Sequence, residues 1–112
     1  MKTVVGGADN SREGMEPMRI KLLGKYWNLV FKRLRRDKDD TLGYCDSPKS
    51  KSKKIVVHNR LTAEQTLEVV IHEMLHAADW HKSEEWVSDV SKDIARVLTR
   101  LGYHTKERPP TE

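Results

Sequence analysis

The sequence predicts an α+β domain in which three short strands form an antiparallel meander ahead of two helices. Three observations lead there. Apolar and polar residues alternate around Trp27, Leu29 and Phe31, and a β-branched run returns at Lys54–His58. From Thr62 onward the apolar spacing changes to three and four, the period of helices packed on one side. The links between the strand-like runs are too short for helical crossovers, so antiparallel pairing is expected. A chain of 112 residues suits one domain with one modest core.

Residues 1–17 hold Gly6, Gly7, Gly14 and Pro17 among polar residues and show no period, so a mobile leader is expected. The folded domain is expected over residues 18–103. Ile20, Leu22 and Leu23 come first, with Gly24 as a bend. Trp27, Leu29 and Phe31 then alternate with Asn28, Val30 and Lys32 as a strand. Leu23, Trp27, Val30 and Leu34 also fit helical spacing, but Tyr26, Trp27, Val30 and Phe31 favour β-structure. Residues 35–40 are a charged turn. Residues 41–46 are a short second strand, and 47–53, with Pro48, three serines and three lysines, an exposed loop. Lys54–His58 is the third strand and the expected sheet edge.

The first helix starts at Thr62, whose hydroxyl can cap it while Gln65 completes a capping box. Glu64 suits the positive end of the helix dipole. Leu67, Val70, Ile71, Met74 and Ala78 make its apolar stripe, and it ends near Asp79 and Trp80. Ser83 caps a second helix. Its expected core side is Trp86, Val87, Val90, Ile94, Val97, Leu98 and Leu101, and Gly102 stops it. Residues 104–112, with Pro109 and Pro110, read as a tail.

Charge is unevenly placed. Residues 19–60 carry 13 Lys/Arg against 4 Asp/Glu, whereas 61–112 carry 6 against 10. The basic half can meet nucleic acid or simply form a solvated face. Its lysines at 49, 51, 53 and 54 lack interleaved aromatics, so base stacking is weakly signalled. No apolar run approaches a membrane span, and no secretory signal is seen. The single cysteine, Cys45, excludes an internal disulfide and makes a reducing, cytoplasmic setting the expectation.

The chemistry concentrates in His72-Glu73-Met74-Leu75-His76. Two histidines four apart share one helix face, one turn above each other, and can both point at one ion. Two imidazoles suit zinc, and a carboxylate beside them can take a proton from water. A catalytic zinc needs a third protein ligand and an open position. At 100° per residue, Glu84 falls about 80° from the centre of the second helix's apolar sector and Glu85 on its far side. Glu84 is therefore preferred, with His81 in the intervening link as the rival. Cys45 is expected to be a small buried residue rather than a ligand. Asp79 either supports His76 or ends the helix.

The motif, followed by a glutamate on the next helix, resembles the gluzincin arrangement of zincin metallopeptidases. Together with Gly43-Tyr44-Cys45-Asp46, Lys54-Ile55-Val56-Val57 and Glu84-Glu85-Trp86-Val87 it is similar to small SprT-like or phage-encoded zincin proteins, over residues 20–103. The resemblance implies a minimal zincin-like fold with the meander packed on the motif helix. It implies Zn2+ on His72, His76 and Glu84, with Glu73 as general base and then acid. It also implies a peptide or protein substrate laid along an edge strand, and contact of the basic region with DNA-bound material. Tyr44, His58, Tyr103 and His104 are candidates for stabilising the oxyanion. Metzincins place a third histidine six residues past the second, after a glycine. Here that position is Lys82, with no glycine before it, so that class is not indicated. His81 followed by Trp86 echoes a pattern of other minimal zincins.

Overall fold

A computed structural model describes residues 17–34 and 41–103. The predicted leader, apart from Pro17, the charged turn at 35–40 and the tail at 104–112 lie outside the described residues. The elements are β1 (Met18–Leu22), β2 (Lys25–Lys32), β3 (Gly43–Cys45), β4 (Lys54–His58), α1 (Ala63–Ala78) and α2 (Glu84–Arg100). The protein is a small α+β domain, and no described helix is long and apolar enough to cross a membrane.

The bend expected at Gly24 is a two-residue hairpin turn. Leu23 and Gly24 have φ of 49° and 81°, as in a type I′ turn. It makes β1 a separate strand paired antiparallel with β2. The sheet therefore has four strands, in the order β1-β2-β4-β3.

The three-stranded antiparallel meander is corrected on one point of topology. β2 and β4 pair in parallel, with Leu29 opposite Ile55 and Phe31 opposite Val57. The chain leaves β2, passes to the far side of β4, and returns as β3, antiparallel to β4. This brings β4 into the sheet interior, so it is not the edge; β1 and β3 are. The physical reason is visible in β4 itself. Ile55, Val56 and Val57 are all fully buried, so both faces of the strand are covered.

Trp27, Leu29, Ile55 and Val57 form the inner face of the sheet and pack with Val69 and Ala77 of α1. Thr62 caps α1 as expected: its Oγ1 accepts from the Gln65 N–H at 3.1 Å, and Gln65 Oε1 accepts from the Thr62 N–H at 3.2 Å. The most buried line of α1 is Thr66, Val69, Glu73 and Ala77, whereas the predicted stripe is only half-buried. The shift arises because α1 is a middle layer, with the sheet on one side and α2 on the other. Each side covers part of the helix, and the line between them is covered by both.

The larger departure is in α2. Ser83 caps it, its Oγ accepting from the Trp86 N–H at 3.1 Å. Among the described elements, α2 packs only on α1. Its buried residues are Val87, Ser91 and Ala95. Trp86, Ile94, Val97 and Leu101, expected in the core, are exposed. The helix has turned its small side chains inward because α1 is close and small residues let two helices approach.

Candidate metal centre

The site sits where the middle of α1 meets the first turn of α2. On α1, His72 and His76 stand one turn apart with ring centroids 4.8 Å apart. On α2, Glu84 is the first helical residue. At 100° per residue it lies near the middle of the sector set by Val87, Ser88, Ser91 and Ala95, about 100° wide. The small-residue face that docks on α1 therefore carries Glu84 with it. Glu85 lies about 100° from Glu84 around the helix and faces away.

Glu84 spans both histidines. Its Oε2 is 3.0 Å from His72 Nε2, and its Oε1 is 2.9 Å from His76 Nε2. Ser88 Oγ, one turn further along α2, donates to Glu84 Oε2 at 3.2 Å and fixes the carboxylate's orientation. The potential ligand atoms of His72, His76 and Glu84 lie within 4.8 Å of one another. Three ligands around a tetrahedral ion with ~2.0–2.1 Å bonds stand about 3.3 Å apart. To hold such an ion the Glu84 contacts open by a few tenths of an ångström, and the widest ligand pair, up to 4.8 Å apart, closes by about 1.5 Å. Two imidazoles and a carboxylate are a donor set that several divalent metals accept. His81, the rival third residue, is exposed in the α1–α2 turn and is not part of this convergence.

Glu73 has a different environment. It is only 8 % exposed, against 71 % for the Glu84 side chain. Burial pushes its carboxyl up to about 7, and the Glu84 charge adds to the rise. Burial also lowers His72, against the attraction of Glu84, so its imidazole favours the neutral form that binds metal. For Glu84, burial works in the opposite direction but is outweighed by the His72 and His76 rings and by Ser88, which hold the carboxyl below its ordinary range.

Strand β3 walls the site on the other side. A Cβ on Gly43 would lie 2.8 Å from the Val56 carbonyl oxygen and 2.8 Å from Val69 Cγ1, with Glu73 Cγ at 3.5 Å. Only glycine lets β3 come this close to α1 while pairing with β4. A glycine opening a strand is the signal for this close approach that the sequence carries. Ser88 was missed, although it stands four residues after Glu84 on the same helix. Burial, then the charges of Glu73 and Asp46, push the Cys45 thiol up to about 12, and it donates to the Asp46 carbonyl oxygen at 3.2 Å. Cys45 is half-buried against the core and lies outside the triad.

An open cleft of about 770 Å3 joins these parts, bounded by Gly43 and Tyr44 on β3 and by Trp80, Lys82 and Ser88 across the helices. Tyr44 is the described oxyanion candidate that lines it. His58 is buried in β4, where its Nδ1 accepts from the Leu34 N–H at 3.1 Å. Tyr103 lies past the far end of α2, and His104 falls outside the described residues. Asp79 caps α1, its N–H donating to the Leu75 carbonyl oxygen. No protein-family model, curated protein or solved structure matches the chain.

Proposed function

We propose that the protein is a zinc-dependent metallopeptidase. The observation that carries this reading is the convergence of His72, His76 and Glu84 beside a buried carboxyl, Glu73, in an open cleft. Zinc bound there would acidify a water and polarise the scissile carbonyl. Glu73 would accept a proton from the attacking water and return it to the departing amine. A carboxyl raised to about 7 is suited to both halves of that transfer. His72, His76 and Glu84 would hold the ion. An extended peptide fits along β3, whose outer edge borders the cleft, so the substrate strand proposed for β4 moves to Gly43–Cys45.

Metal analysis of the purified full chain, with and without Glu73→Gln, tests this. The expected result is one zinc per chain in both and peptide hydrolysis only in the parent. Absence of stoichiometric metal, or hydrolysis surviving Glu73→Gln, overturns it.

A second reading rests on charge. Residues 17–34 and 41–60 hold ten Lys/Arg against one acidic residue, Asp46. Arg19 lies 4.3 Å from the Tyr26 ring and Lys21 lies 5.4 Å from it. A DNA-associated accessory role for this basic sheet predicts binding of DNA that weakens steeply with salt.

A further inference from the structure

The outward side of α2 is left apolar by the rotation that brings Glu84 to the metal centre. Trp86 is 41 % exposed, Ile94 38 %, Val97 55 % and Leu101 67 %. With half-buried Val90 they form a stripe about 80° wide that runs about 22 Å along the helix. This is the pattern of a packing seam, and no described element covers it. We infer that α2 is a dimerisation helix: the stripe packs against the same stripe of a second copy, with the two helices antiparallel.

Charge and register select the second copy and the orientation. Glu85, Asp89 and Asp93 precede the point between Ile94 and Ala95, and Arg96 and Arg100 follow it, with Lys92 the one exception to that order. A two-fold axis passing between Ile94 and Ala95 sets Asp89 opposite the second copy's Arg100. The same axis sets Asp93 opposite the second copy's Arg96. It also sets Trp86 opposite the second copy's Tyr103, which is 63 % exposed. Asp89 and Arg100 lie within about 20° of each other around the helix, on one flank of the stripe. In an antiparallel two-fold pair each flank meets its own copy, so this placement is the one required. A parallel pair would instead set this charged flank against the opposite one, where Val87, Ser91 and Ala95 are buried against α1, so no such charge pairs would form. Asp93 already bonds Arg96 within its own helix at 3.2 Å, so Asp89 with Arg100 is the pair that reports the arrangement.

Glu84 lies about 120° around the helix from the stripe, so pairing leaves the metal centre open. The inference therefore stands apart from the metallopeptidase reading. Sedimentation and light scattering on the full chain from about 5 to 200 μM test it. The expected mass is twice 13.0 kDa at the upper end. Val97→Asp gives a monomer with unchanged circular dichroism and unchanged metal content. Asp89→Arg and Arg100→Asp each weaken the dimer roughly tenfold, and the double swap restores it. A monomer throughout, as when another segment or another protein occupies the stripe, overturns the inference. So does a dimer indifferent to Val97→Asp, or a double swap that fails to restore association.

Discussion

Two glutamates share one site and have opposite environments. Glu73 sits under β3, nearly sealed from water, and its carboxyl is raised to about 7. Glu84 stands at the rim, largely exposed, and its carboxyl is held below the ordinary range by two histidines. One helix position thus favours a proton carrier, and the other favours a permanent anion. On the proposed reading these opposite environments assign the base to Glu73 and the ligand to Glu84.

The hardest test of that contrast is exchange of Glu73. Glu73→Gln is expected to lower peptide hydrolysis by about 10³-fold while retaining metal, measured by turnover and metal content. Equal turnover breaks the contrast.

The same variant also probes burial. Below the ordinary carboxyl pKa of 4.5, Glu73 is protonated both folded and unfolded, and its burial costs nothing extra. Between pH 4.5 and about 7 the unfolded chain ionises while the folded chain resists, so stability falls across that window and levels off above it. A rise of that size corresponds to about 3 kcal/mol. In the metal-free protein, Glu73→Gln is therefore expected to stabilise by up to about 3 kcal/mol at pH 8 and by little at pH 4.5, read by urea unfolding. A gain at the lower pH alone contradicts the assigned burial.

For Glu84 the expected loss is in metal affinity. Glu84→Ala should weaken binding about a hundredfold, whereas Glu85→Ala and His81→Ala leave it within about threefold, by competition with a chromogenic chelator. An effect confined to His81→Ala transfers the third position to the turn.

Smaller still is the effect of the wall. Gly43→Ala forces β3 away from Val56 and Val69 and is expected to cost about 1–3 kcal/mol in unfolding free energy. It should also lower the Glu73 pKa as water enters, visible as a shift in the pH dependence of stability. Ser88→Ala should weaken metal binding only a few-fold, because it removes one orienting hydrogen bond to Glu84.

Short-range patterns in the chain carried much of this. The Thr62–Gln65 capping box, the Ser83 cap and the bend at Gly24 depend on residues within a few positions of each other, and each forms where the local chemistry indicated. His72, Glu73 and His76 sit on one helix, so their spacing alone set their mutual geometry. The preference for Glu84 over Glu85 was also legible, although through an apolar sector of which the structure fully buries only Val87.

Tertiary structure decided the rest. The run Ile55-Val56-Val57 could be an edge or an interior strand by local preference. Its parallel pairing with β2 depends on where a chain of some twenty residues returns, which no local pattern fixes. The rotation of α2 is a second case. Periodicity identified an apolar stripe and assigned it to the core, yet the helix presents Val87, Ser91 and Ala95 to α1. An amphipathic pattern says that a face is to be covered, but not by what. Here the close approach of two helices selected the small side chains, carried Glu84 to the histidines, and left the apolar stripe facing outward.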